Sequence, residues 1–188
     1  MTPDEHVKKA AEWVGEQCAE AFADEVLAEE LPTESPLEEI FYVWWEACRR
    51  GRGFGRSDPF ALETTVVHQV KVGRYRLDYA IAFNDPKTMA EAVEFGVAPP
   101  KIAVELDGHD FHEKTKEQVT ARNRRDRDLQ TAGWHVFHFS GSEFNRDPKG
   151  CVTQVMEYAQ WEYYRLWTRV YNAKERRANE TAATPGQA

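Results

Sequence analysis

The residues best suited to chemistry lie together in Lys101-Ile-Ala-Val-Glu-Leu-Asp-Gly-His-Asp-Phe-His112. Ile102, Ala103 and Val104 start it as a buried strand. It then turns into acid and imidazole at Glu105, Asp107, His109, Asp110 and His112, with Gly108 at the break. An unpaired buried charge costs on the order of several kcal/mol. Carboxylates that end a buried strand therefore call for a compensating charge, and a divalent cation is the simplest one. Glu105 and Asp107 are two apart, so both point to one face of the strand while Leu106 faces the core.

A third acid, Asp78, falls inside Tyr75-Arg-Leu-Asp-Tyr-Ala-Ile-Ala-Phe83. There Leu77, Tyr79, Ile81 and Phe83 alternate with Arg76, Asp78, Ala80 and Ala82, which puts Asp78 on the less apolar face. Pairing of this strand with the one ending at Asp107 brings Asp78, Glu105 and Asp107 to one edge. Oxygen ligands of this kind suit Mg²⁺ or Mn²⁺. Zinc fits poorly. HxxH occurs at His109/His112 and at His135/His138, but strand residues three apart face opposite sides, and no cysteine stands close by. His135 and His138 read as ordinary partly buried strand histidines. A serine hydrolase is weaker still, for no serine sits in a GxSxG elbow.

Several elements must position these groups. Ser35-Pro36-Leu37-Glu38 has the form of a helix start, with Ser as N-cap, Pro first and Glu at the third position. The expected helix runs to about Arg50, with Leu37, Ile40, Phe41, Trp44 and Cys48 on its apolar face. Glu38 lies on the flank of that face and Glu39 points away. The Glu38 carboxylate either looks into the protein or completes the capping box. Arg49 to Arg56 reads as a basic, glycine-rich loop, either a connector or a phosphate contact. Thr64–Val70 and Tyr75–Phe83 form a hairpin about Gly73. Asn84–Pro100 is an insert with a short helix at Met89–Phe95. Lys114–Ala132 is a charged helix stopped by Gly133, and Trp134–Phe139 is a fourth strand. A strand, a helix of this length and a strand imply a parallel crossover. A long helix follows Pro148, carrying Trp161, Tyr163, Tyr164, Trp167 and Tyr171. At the other end, Thr2–Leu31 reads as an acidic amphipathic helix, and Thr181–Ala188 as disordered.

The 188 residues, 41% hydrophobic and 30% charged, read as one globular domain with decorated ends. The expected division is a helical extension over 1–34, a core over 35–155, and an aromatic helix with a tail over 156–188. No apolar run approaches the ~20 residues that span a bilayer, and the first residues lack the order of a secretory signal. Cys18, Cys48 and Cys151 are far apart, as expected of reduced thiols in a cytoplasm. The net charge of −8 argues against a nucleic-acid coat protein but leaves room for a local basic groove.

The motifs Ser35-Pro-x-Glu38, Gly73-x-Tyr-x-Leu-Asp78-Tyr, Val104-Glu-Leu-Asp-Gly108 with His112, Arg125-Asp-x-x-Leu129 and Gly133-Trp-x-Val136 follow in order. Together they resemble the PD-(D/E)xK nuclease superfamily, and within it the Vsr-like group related to very-short-patch repair endonucleases. The resemblance covers about Ser35 to Val155. It implies an α/β restriction-endonuclease-like core of helix, three-strand meander, helix and strand, with extra N- and C-terminal helices. It implies hydrolysis of DNA phosphodiesters by a water activated at Mg²⁺ or Mn²⁺, in repair or defence. The rival is a nuclease-fold module that binds nucleic acid or assembles without cutting. By the same resemblance Asp78 matches the central metal-binding aspartate, Glu105 the acid of the (D/E)xK element and Glu38 the acid of the first helix. His112 matches the catalytic histidine of the repair branch.

Two positions depart from the pattern. Asp107 stands where the superfamily has lysine, and His138 where close relatives have arginine. Asp107 then acts as a third metal ligand, or Lys114, Lys116 or His112 supplies the missing function. Lys114, Lys116, Arg122, Arg124 and Arg125 follow the acids directly and are the candidates to contact a DNA backbone. The alternative is a solvated helix whose arginines pair with Asp126 and Asp128. The aromatic C-terminal helix is the candidate surface for a homodimer.

Overall fold

The computed structural model describes residues 15–16, 19–22, 34–53, 64–108 and 115–183. The chain divides into two compact units, Met1–Pro32 and Thr33–Ala188. In the first, residues 15–16 and 19–22 are helical, and the rest of the expected N-terminal helix lies outside the described residues.

The second unit runs α1 (Pro36–Gly53), β1 (Thr64–Val72), β2 (Tyr75–Phe83), α2 (Pro86–Glu94), β3 (Lys101–Asp107), α3 (Lys116–Thr131), β4 (Trp134–Ser140), α4 (Gly141–Arg146) and α5 (Pro148–Ala183). The four strands form one sheet in the order β1-β2-β3-β4. The first three pair antiparallel and β4 joins β3 in parallel, Glu105 opposite His138, with α3 as the crossover. This mixed α/β architecture, a helix followed by a meander, a helix and a strand, matches the expected order of elements.

The start of α1 follows its sequence. Ser35 Oγ accepts the Glu38 backbone N–H at 3.3 Å, and Pro36 occupies a position where a missing N–H costs nothing. The helix fully buries Phe41 and Trp45, so the core ring is Trp45; Trp44, expected there, is half-buried. The expected glycine-rich loop after Arg49 is helical through Gly53, and Arg49 Nε turns back to Glu46 at 3.0 Å. Residues 54–63 lie outside the described residues. The hairpin turns at Gly73, whose φ of 58° suits a residue without Cβ. Asp85 caps α2, accepting the Lys87 and Thr88 backbone N–H groups. Thr115 and Gln118 close a capping box at the start of α3. Gly133, at φ 84°, ends that helix as expected.

The sheet carries a core on each face. Ile102, Val104 and Leu106 of β3 pack with Phe41 and Trp45 of α1 and with Val152, Val155 and Met156 of α5. Ala103 packs on the opposite side with Leu77 and with Leu129 of α3. α5 runs unbroken across 155–156, the boundary expected from sequence, and stays helical through Ala183, past the expected start of disorder at Thr181. Residues 184–188 lie outside the described residues.

The expected alternation along β2 fails at one place. Tyr79 and Ile81 belong to the core under α1, whereas Leu77 belongs to the core under α3. The change of face happens at Asp78. Opposite it, Gln69 has a φ of 50° and drops out of the pairing between His68↔Tyr79 and Val70↔Leu77. A left-handed conformation costs a residue with a Cβ roughly 1–2 kcal/mol, so a local interaction must hold Gln69 there.

Candidate active site

That interaction is a carboxylate. Gln69 Nε2 donates to Glu38 Oε2 at 2.6 Å, and Ser35 Oγ donates to Glu38 Oε1 at 3.0 Å. Glu38 is buried, and its Oε2 also accepts the Glu34 backbone N–H at 3.3 Å. Glu38 thus faces the strands, and at the start of α1 its carboxylate accepts the Ser35 hydroxyl and the N–H of Glu34, one residue before the cap. Tyr79 fixes it further by donating its hydroxyl to the Glu38 carbonyl at 2.6 Å.

The break in β2 frees Asp78 from the ladder. Its Oδ2 accepts the Leu106 backbone N–H at 2.8 Å, so the side chain reaches across to the end of β3. Glu105 is buried there, on the β3 face that looks toward α3. Burial, and then the charge of Asp78, pushes the Glu105 carboxyl up to about 8, against the pull of Arg125. Asp78 is also raised. Burial is the main cause, the Leu106 N–H opposes it, and Glu38 adds repulsion.

One cation answers this pair. Arg125, from the inner face of α3, donates from Nη2 to Glu105 Oε1 at 2.5 Å and to the Arg76 carbonyl at 2.6 Å. Its guanidinium lies 5.9 Å from the Tyr75 ring centroid. Asp107, one pleat further along β3, is half-buried. Its Oδ2 is 3.6 Å from Arg122 Nη1 and 3.9 Å from His138 Nδ1. The other ring nitrogen of His138 is 3.1 Å from Asp126 Oδ1. His138 is thus a partly buried strand histidine, as expected, that stands beside the acids Asp107 and Asp126. His135 faces away and stacks on Tyr158, with centroids 4.1 Å apart.

The expected site residues separate accordingly. Asp78 and Glu105 come together, with Glu38 close enough to repel Asp78 and Asp107 beside Arg122. Arg125 turns inward to Glu105, while Lys116 and Arg124 are exposed on α3. His112 and Lys114 lie outside the described residues. Sequence reasoning missed Gln69 and gave His138 no partner. Gln69 carries no pattern, because its signal is a backbone conformation. His138 had one: it follows Glu105 directly across a parallel pairing.

Among the described residues no three His, Cys, Asp or Glu side chains form a ready metal cage. Mg²⁺ is held through one or two carboxylates together with water and substrate phosphates. Two hard-oxygen donors from adjacent strands, one buried and one half-buried and repelling each other, fit that need, and the Arg125 guanidinium sits where positive charge is wanted. Asp78 and Glu105 would hold the ion. Among the described residues no helix is long and apolar enough to cross a membrane.

A family model described as REase_MTES_1575 matches residues 61–158, just over half of the chain. The match spans Asp78, Glu105, Asp107, Arg125 and His138 and ends in α5. No curated protein and no solved structure matches the chain.

Proposed function

Because this chain belongs to the REase_MTES_1575 family, of restriction-endonuclease-like proteins, we propose that it is a metal-dependent endonuclease that hydrolyses DNA phosphodiesters by a water nucleophile. The observation that carries the reading is the Asp78–Glu105 pair on adjacent strands, Glu105 buried and Asp78 half-buried, short of positive charge. A bound Mg²⁺ or Mn²⁺ would supply Lewis acidity and a water of lowered pKa. Asp78 is oriented by the Leu106 N–H to offer an oxygen, and Glu105 offers another from the next strand. Glu38, tied by Gln69 and Ser35, keeps the rim negative. His138, oriented through Asp126, holds an imidazole nitrogen toward Asp107. Lys116, Arg124 and the neighbouring Lys114 would contact the DNA backbone, and His112 is the further candidate for proton transfer. Kinship to the Vsr-like group, a repair or defence role and a cytoplasmic setting belong to the same proposal. Cys48 and Cys151, both free thiols, agree with that setting.

Asp107 in the place of the superfamily lysine favours a second reading, a nuclease-fold module that binds nucleic acid without cutting. Nicking of supercoiled plasmid separates the two. We expect nicking in Mg²⁺ or Mn²⁺ that EDTA abolishes. Asp78→Ala should abolish it too, while the far-ultraviolet circular dichroism is retained. A wild-type protein that binds plasmid but leaves it intact in both ions would establish the second reading instead.

A further inference from the structure

Arg125 is read from sequence as a phosphate contact on the outside of a charged helix. In the fold its Nη2 bridges Glu105 Oε1 and the Arg76 carbonyl. A carboxylate oxygen held by a guanidinium is not free to bind a cation. We propose that Arg125 is the exchangeable cation of this site: it holds Glu105 in the metal-free protein, releases it to a divalent cation, and passes to a phosphate of the bound DNA.

Three features support the exchange. First, Glu105 is buried beside Asp78, so without a counter-charge the two carboxylates would repel at short range. A resident guanidinium keeps the edge intact until another cation arrives. Second, the Arg125 hold is incomplete. Its buried Nε finds no hydrogen-bond acceptor among the described residues, so that donor is satisfied only when the guanidinium moves to another anion. Third, the cations at this edge come from the helix that follows the strand, with Arg125 on Glu105 and Arg122 beside Asp107. The long, rotamer-rich arginine side chain can change partner without a change of backbone. By linkage, cation binding and DNA binding then favour each other.

This inference rests on the nuclease reading, and the experiment separates the two. Mn²⁺ is titrated calorimetrically into the wild-type protein, Arg125→Lys and Arg125→Gln, in the absence of DNA. Removing a competing charge-assisted bond should tighten Mn²⁺ binding in Arg125→Gln by about tenfold. Arg125→Lys should fall between, because an ammonium cannot span Glu105 and the Arg76 carbonyl as the fork does. Duplex affinity measured by fluorescence anisotropy in Ca²⁺ should fall in the order Arg, Lys, Gln. Equal or weaker Mn²⁺ binding in both variants overturns the exchange, as does the absence of Mn²⁺ binding in all three proteins. If wild type nicks plasmid without this order, the exchange fails and the nuclease reading stands. If the order appears without nicking, the exchange stands and the hydrolytic reading falls. Should Arg125→Gln fail to fold, Arg125→Lys against wild type decides alone.

Discussion

Glu105 and Asp107 share one face of one strand, yet the fold treats them differently. Glu105 is buried against Asp78 and its carboxyl is pushed up to about 8, whereas Asp107 stays half-open beside Arg122 and His138. The Glu105 shift has a consequence for stability. The folded state holds the proton more tightly than the unfolded chain, whose glutamate titrates near ~4.3. Its contribution is therefore fully present below that pH and is lost as pH rises through about 8. Glu105→Gln should thus raise the Tm of the metal-free protein at pH 8 by roughly 2–4 °C, the size that about 1 kcal/mol gives in a chain of this length. The gain should be much smaller at pH 5, close to the unfolded value, and vanish only below about pH 4. Scanning calorimetry at both pH values checks it, and an equal shift at each would remove the ionised carboxylate as the cause. At this scale the acids were legible in the sequence, because an apolar run that ends in Glu-Leu-Asp announces its own cost. Their partners were not. Gln69 acts through a left-handed backbone angle, which no residue type short of glycine advertises.

At the scale of elements, α3 is where sequence and structure diverge most. Leu129 is its one buried apolar residue, so a helix so weakly patterned gives no reading of which face turns inward. The fold settles it with polar contacts. Leu129 fills the core beside Leu77, Arg125 reaches Glu105, and Asp128 accepts bonds from Tyr75 at 2.6 Å and Arg74 at 2.7 Å. Asp126 and Asp128 thus hydrogen-bond to the sheet and its turn, and Arg124 of their own helix adds a Coulombic pull on Asp128. Arg124 and Arg127 are left facing solvent. If α3 lies along a DNA backbone, replacing both with alanine should weaken binding to all sequences alike. The slope of log affinity against log salt should fall by about one unit per lost contact. An unchanged slope would take these two arginines out of the interface. The order of elements was readable because its boundaries carry local chemistry: Ser35-Pro36, Gly73 and Gly133. The short helix α4 was not expected. It is set by packing as much as by its Ser140 cap, since a Cβ on Gly141 would stand 3.4 Å from the Asp107 carbonyl oxygen and 3.3 Å from Leu37 Cδ1.

At the scale of the whole molecule, the sheet separates two kinds of surface. The acidic edge lies at the end of β3, while the outer face of α5 carries Trp161, Tyr164, Trp167 and Tyr171, each about half exposed. Spacings of three, three and four residues place them on one side of the helix over about 15 Å. Trp167 and Tyr171 are stacked at 5.8 Å, and a cavity of about 590 Å³ opens beside them between α2 and α5. A stripe of this size matches the largest apolar patch of many monomers, which is often functional, and a helix face meets itself under a two-fold axis without needing a second partner surface. A second copy of the chain is the proposed occupant, and area limits how tight that pairing can be. An aromatic side chain buries ~150–250 Å². Four half-exposed rings therefore offer on the order of 400 Å² per protomer, about half of the ~800 Å² per partner in a standard interface. The expected behaviour is a weak dimer: monomer at low micromolar concentration, with association rising as the protein approaches the millimolar range. Sedimentation velocity across that range should show the shift, and Trp167→Lys should remove it without changing the Tm, since the ring supports no core. A wild-type protein that stays monomeric throughout would assign the stripe to a different partner.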